Sequence, residues 1–384
     1  MAQRIWEFVS AACGLLALGE PAHLEAAHRV VRNEVFASLA ERGFRSIALE
    51  SDRVAGLGVD RFVRDGEGSL DSVMTDGFSH GFGELDGNRA LVRWMREYND
   101  GRPPEERLAF HGFDPPMETL SAPSPRRYLE HARDYLGLDV DLTALGDDER
   151  WSRAEALMDA AASPGATAAA DHVRAVADDM LTALYRRAPE LIAATSQAAW
   201  LRAEAHLTAG LGLLRHHRQS ARPGEPSTRW TRLCATRDAL MARNLLDIRR
   251  TEARRGPTLV FAHNLHLQRN PSHMRMGNMD IDWSSAGAII GSLLGEEYAF
   301  VAGSLGRSDA IRLAEPGPDT YEGVLRSRIP AWGLTAAADF PSARTRTDTT
   351  PDQGYFPLDR AIVDTADAIL HVSQGTAAGR GPSR

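Results

Sequence analysis

The chain has 384 residues, 43% hydrophobic and 25% charged, with a formal net charge of −8; that leaves ample apolar content for a buried core and argues against nucleic acid or an anionic membrane surface as a partner. Two cysteines far apart in sequence, Cys13 and Cys234, define neither a disulfide framework nor a zinc motif, and both are expected to be reduced and packed. No run reaches the roughly 18 to 20 apolar residues that span a bilayer, and Glu7 interrupts the stretch after Arg4 that loosely imitates a secretory signal, so the expectation is a soluble, cytoplasmic protein.

The first apolar run, residues 13–18, ends at Gly19-Glu20-Pro21-Ala22-His23 and reads as a buried strand leading into a loop. A helical stretch over residues 25–42 and a second strand, Ser46-Ile47-Ala48-Leu49, ending at Glu50 complete a strand–helix–strand unit. That order implies parallel pairing with a right-handed crossover. Residues 65–87 read as a polar, glycine-rich loop, residues 91–98 as a helix, and residues 108–114 as a third strand ending at Asp114. From about 123 to 255 the pattern changes to Ala, Leu and charged residues at helical spacing, broken by Pro164-Gly165, Pro189 and the Pro-rich stretch at 222–226. This predicts a helical insertion or cap of about four helices. The sheet resumes at Thr258 and runs into Ala262-His263-Asn264-Leu265-His266; residues 274–283 read as irregular and Met-rich, 286–294 as a helix, and 298–302 and 368–372 as strands. The Gly-, Ser- and Arg-rich end, 373–384, reads as a disordered tail. The fold class expected is α/β: one catalytic domain over 1–372, with a central, mostly parallel sheet, helices on both faces and the helical insertion.

In such sheets ligands bind beyond the carboxyl ends of the strands, where the polar islands fall. Glu20 and His23, three residues apart, can form a dyad in which the carboxylate fixes the imidazole tautomer and leaves the other nitrogen to deprotonate water; helix capping by Glu20 is the structural alternative. His263 ends its strand. His266 can join it only if the chain turns at Asn264, because residues three apart on an extended strand face opposite ways. Glu50 and Asp114 end neighbouring strands and could orient an imidazole or act as an acid. Arg29 and Arg32, on the helix after His23, could polarise an anion or carbonyl oxygen. The segment Gly77-Phe78-Ser79-His80-Gly81 matches the G-x-S-x-G pattern of serine hydrolases, but no strand precedes it, so Ser79 is not expected to be a nucleophile.

Taken together, Leu18 to His23, Gly43-Phe44, Ala48-Leu49-Glu50, Trp94-Met95-Arg96-Glu97-Tyr98-Asn99, Gly112-Phe113-Asp114, Arg237-Asp238 with Met241 and Asn244, Phe261 to His266, Ala286-Gly287 and Leu294-Gly295 resemble the erythromycin esterase family in order and spacing. The resemblance implies hydrolysis of a macrolide-type lactone or ester without a serine nucleophile, an obligatory metal or any other cofactor. It implies His23 as general base with Glu20 beside it, Glu50 and His263 completing the catalytic set, and His266 and an arginine near Arg32 in support; Arg29, Asp114 and Arg96 are further candidates for support or substrate binding. The expected partner is a polyketide-like small molecule, with roles in antibiotic resistance or natural-product biosynthesis both open. One departure stands out: Leu24-Glu25 follows His23 where the family commonly has glycine, and a side chain there is expected to narrow the approach to His23. Three alternatives remain: an acid–base reaction that adds no water, a zinc enzyme using His23, His263, His266 and a carboxylate, and a protein that binds its ligand without chemistry.

Overall fold

The computed structural model describes residues 4–339 and 343–376. A seven-stranded sheet in the order β3-β2-β4-β1-β7-β9-β8 forms its centre. Its strands are β1 (Leu15–Glu20), β2 (Ser46–Asp52), β3 (Ala109–Asp114), β4 (Thr258–His263), β7 (Tyr298–Arg307), β8 (Trp332–Ala336) and β9 (Ala368–Gln374), while β5 (Ser272–Met276) and β6 (Met279–Trp283) form a separate hairpin. All pairings in the large sheet are parallel except β8 against β9. The four strands β1 to β4 are buried along their whole length, which is why they read as continuous apolar runs rather than alternating ones.

Helices α1 (Ala26–Ala40), α2 (Gly56–Asp65), α3 (Leu70–Asp76) and α4 (Asp86–Asn99) follow β1 and β2. Next come α5 (Arg126–Leu136), the one-turn α6 (Glu149–Ser152) and α7 (Glu155–Met158), α8 (Ala168–Arg186), α9 (Ala188–Ala194), α10 (Gln197–Ser220) and α11 (Pro226–Glu252). Then α12 (Asn264–Leu267), α13 (Ala286–Leu294), α14 (Tyr321–Arg328) and α15 (Arg360–Thr365) return to the sheet. One apolar cluster joins α1, α2 and α4 to one sheet face, through Phe36, Leu39, Val59, Leu91 and Met95. A second joins α11 and α13 to the other, through Met241, Leu245, Ile248 and Ile290. The insertion has its own core around Trp151, Leu184, Trp200 and Leu207. Its last helix, α11, packs on the sheet through the second cluster and against α10 of the insertion, and so links the two.

Four expectations need correction. Residues 65–87 are not a loop: Gly66, left-handed at φ 74°, ends α2, and the Ser69 hydroxyl accepts the Ser72 N–H to start α3, so the glycines punctuate helices. Residues 274–283 are not irregular; Met274, Met276, Ile281 and Trp283 alternate with exposed Arg275, Asp280 and Asp282 across a turn at Gly277, φ 61°. That period of two is a strand signal. The insertion carries three short helices besides four long ones. Finally, β9 runs to Gln374, and the Glu25 carboxylate holds Thr376 through its backbone N–H and hydroxyl; the rest of the expected tail, 377–384, lies outside the described residues.

Candidate active site

Parallel pairing carries the sequence islands to one edge. Glu20 and His263 are register partners at the ends of β1 and β4. Glu50 lies beside them within a register shift between Leu49 and Asp52, the kind of irregularity that re-aims a side chain at a sheet rim. The chain does turn at Asn264: its side chain exchanges two hydrogen bonds of 2.9 Å with Gly303 of β7, and α12 begins there. A Cβ on Gly19 would lie 2.0 Å from Asn264 Oδ1, so the glycine makes room for this brace. His263 and His266 consequently line the same cavity as His23, a space of about 280 Å³ whose apolar wall includes Trp230, Leu233, Met274, Met276, Trp283 and Phe356.

His23 donates from Nδ1 to Glu20 Oε1 at 2.9 Å, and its Nε2 is 3.7 Å from Glu50 Oε1. Burial alone would depress its pKa, but Glu50 and Glu20 outweigh it and hold the imidazole above the ordinary histidine value. His266 is flanked in the same way, with Nδ1 3.0 Å from Asp238 Oδ1 and Nε2 3.4 Å from Glu50 Oε1. Against burial, Asp238 and Glu50 raise it to about 9, so it is an imidazolium at neutral pH. His263 behaves differently. Burial and then the neighbouring His23 push it down to about 3, against weaker opposing pulls from Glu50 and the Pro21 carbonyl. Its Nδ1 accepts the Leu265 N–H at 3.2 Å, which puts the ring proton on the buried Nε2.

Glu50 is the hub. Burial would raise its pKa, yet His266, His23, Arg237 and the His263 backbone N–H, at 2.9 Å, together keep it well below the usual carboxylate range. Arg237 reaches Glu50 at 3.4 Å and Asp114 at 2.6 Å, and Asp114 also takes His80 Nε2 at 2.9 Å. His80 in turn has Nδ1 3.0 Å from Glu118, and it holds a left-handed φ of 57°, a conformation that non-glycine residues adopt only where the surroundings enforce it.

The structure thus brings Glu20, His23, Glu50, Asp114, His263 and His266 together. Arg29 stands behind them, donating to the His23 carbonyl and lying 3.6 Å from Glu20 Oε2. It does not bring Arg32 to His23: that guanidinium is buried on Asn33, Asn88 and the Gly87 carbonyl, over the Phe261 ring. Arg96 is elsewhere too, on α4 beside Gly66 and 4.0 Å from Asp100. Leu24 is 67% exposed and takes no part in the cavity wall, so it does not narrow the approach as expected. Ser79 is buried and its Oγ accepts the Asp52 N–H at 3.0 Å, a structural use. Sequence reasoning counted Arg237 and Asp238 among the residues of the family resemblance but gave them no role, and it missed His80 and Glu118. The adjacent Arg237-Asp238 pair in an apolar-faced helix was the available signal, and His80 was hidden inside the G-x-S-x-G look-alike. Among the described residues no group of three or more His, Cys, Asp or Glu side chains is arranged to hold a metal ion, and none of the helices is long and apolar enough to cross a membrane.

A mostly parallel α/β sheet with histidine–carboxylate pairs at its strand ends, under a helical roof, is an arrangement suited to acid–base chemistry. The chain belongs to the erythromycin esterase family, whose model matches residues 39–379. Glu50, Asp114, Arg237, His263 and His266 fall inside that match, and Glu20 and His23 precede it. Three solved structures share the fold. A Bacillus cereus protein is 14% identical with a TM-score of 0.68, covering 97% of this chain and 91% of its own. The H-to-N mutant of the erythromycin esterase EreC in its open conformation is 19% identical with a TM-score of 0.67, covering 96% and 93%. A succinoglycan biosynthesis protein is 14% identical with a TM-score of 0.63, covering 95% and 88%. Among curated protein sequences none matches the chain.

Proposed function

We propose that the protein is a carboxylic-ester hydrolase that opens an ester or lactone of a bulky, polyketide-like molecule with water activated by His23. The observation that carries this reading is the pairing of two unlike imidazoles in one cavity, with ring centroids 5.1 Å apart. His23 is a base strengthened by two carboxylates. His263 is a ring that burial keeps neutral. In the proposed reaction neutral His23, its Nδ1–H on Glu20, takes a proton at Nε2 from a water that attacks the ester carbonyl. The resulting imidazolium lies between Glu20 and Glu50. The oxyanion forms beside the neutral His263 ring, in a site shielded from bulk water. Collapse breaks the acyl C–O bond, the alkoxide takes the proton from His23, and an acid and an alcohol leave. His266, locked as a cation, and Arg237 keep Glu50 ionised throughout.

The test is mass spectrometry on a panel of macrolactones with wild type and His23→Ala. A gain of one water that vanishes in the variant supports the reading, and the macrolactone consumed would tell antibiotic inactivation from a biosynthetic step. A second reading, an acid–base step that adds no water, draws support from the shared fold of a neighbour described as a biosynthesis protein. It predicts a His23-dependent product of unchanged or reduced mass. Unchanged ligand from both proteins would leave binding alone.

A further inference from the structure

Every histidine of the cavity discussed so far is held by a polar partner on at least one ring nitrogen: His23 by Glu20, His266 by Asp238, His263 by the Leu265 N–H. His216 is the exception. It lies on α10, only 3% exposed, lines the same cavity, and its Nδ1 is enclosed with no hydrogen-bond partner. The adjacent His217 also has an enclosed, unpartnered Nδ1, but its Nε2 is fixed on the Pro123 carbonyl at 3.3 Å and its ring lies against Trp151. An unpaired polar group in an apolar wall destabilises a fold unless something else uses it. With Nδ1 enclosed, Nε2 is the atom that can meet a ligand. The cap and hairpin line the same cavity with Leu157, Leu233, Met274 and Trp283, so His216 is a polar contact supplied by the insertion, with Arg237 and Asp114 as its charged neighbours.

We propose that His216 reads the substrate: its Nε2 hydrogen-bonds an uncharged hydroxyl or ketone carried by the apolar body of the ester or lactone, away from the bond that is cleaved. The inference rests on the hydrolase reading and narrows its substrate class to oxygenated, uncharged macrolactones over plain hydrocarbon ones. Burial, followed by His217 and Arg237, depresses the His216 pKa to about 3, which suits a neutral ring able to donate or accept.

The test uses the full chain and a matched pair, a hydroxylated macrolactone and its deoxy analogue, with binding read from the fluorescence of Trp230 and Trp283 and turnover from mass. Wild type should bind the hydroxylated member about 10-fold more tightly, the worth of one neutral hydrogen bond. His216→Leu should lose that preference, and His216→Gln should restore part of it. On the hydroxylated lactone the loss in His216→Leu should fall on KM rather than kcat. The Leu variant should also unfold no lower in temperature than wild type, because the substitution removes an unpaired buried nitrogen. Equal binding of both ligands by wild type, a preference retained in His216→Leu, or a lowered melting temperature with equal loss of both ligands would each overturn the proposal. Discrimination in binding without any gain of water would leave His216 in place and overturn the hydrolase reading instead.

Discussion

Two imidazoles face the same oxygen of Glu50, and the regions that present them differ in one respect that decides their roles. His266 is backed by Asp238, fully buried on α11, whose oxygens also accept Trp283 Nε1–H at 2.9 Å and the Ala286 N–H at 2.8 Å. His23 is backed by Glu20, whose Oε2 has no hydrogen-bond partner, and the His23 ring keeps 33% of its surface open. The saturated, sealed pair fixes a charge. The less saturated, open pair can change its protonation state, which is what a general base must do. A histidine and a carboxylate thus make a structural ion pair or a catalytic dyad according to how many other donors the carboxylate already serves.

Separate removal of the two rings breaks the comparison most directly. His23→Ala should lower kcat/KM about 1,000-fold, within the usual range for general-base loss, and leave the melting temperature close to wild type. His266→Ala strands Glu50 and Asp238 as buried carboxylates with too few cations, so it should destabilise the fold by roughly 3–5 kcal/mol in urea unfolding. Equal destabilisation by the two variants would sink the distinction.

The pH dependence sharpens it. His23 must be neutral to act, and its pKa lies above the ordinary histidine value, so log kcat/KM should rise with pH along a limb centred above about 6.5. The charge of Glu50 helps to raise it, and Glu50→Gln should move that limb to lower pH in whatever activity remains. A limb that stays in place would remove Glu50 from the account. His266 acts through stability. Its folded pKa of about 9 exceeds the value of about 6.5 in an unfolded chain, so its contribution is complete below pH 6.5 and is lost as pH rises through 9. Urea midpoints measured between pH 6.5 and 9.5 should fall over that interval, and should fall less in Asp238→Asn.

What was legible in the sequence follows the same division. Glu20, His23, Glu50 and His263 sit where a continuous apolar run stops, and parallel strands necessarily deliver such residues to one edge. Asp114 ends a strand in the same way, and His266 joins the edge only because the chain turns at Asn264. Arg237, Asp238 and His216 come from mid-helix positions whose neighbours are set by how the insertion docks on the sheet, so even the visible Arg237-Asp238 pair carried no indication of which strand ends it would meet. His80 depends on a left-handed turn that only its contacts with Asp114 and Glu118 make affordable. The hairpin at 272–283 was missed for a local reason: methionines with aspartates and asparagine between them look like a loop unless the alternation is counted. Arg32 and Arg96 were drawn in by resemblance and by their place on a helix after the site, yet each is used by its own helix and neighbours.

The smallest expected effect concerns the look-alike motif. Ser79 stands in G-x-S-x-G, but a nucleophilic serine needs an exposed Oγ with a base in reach. Here the Oγ accepts the Asp52 N–H, and the Ser79 N–H donates to Ser51 Oγ at 2.9 Å. Those bonds fasten the turn that carries His80 to the end of β2, close to Glu50. Ser79→Ala leaves the Asp52 N–H unpaired inside the protein, at a cost of about 1–2 kcal/mol in urea unfolding, while kcat at saturating substrate should stay within about twofold of wild type. A loss of the size predicted for His23→Ala would make Ser79 the nucleophile, and the acid–base account of this site would then have to be rebuilt around an acyl-enzyme.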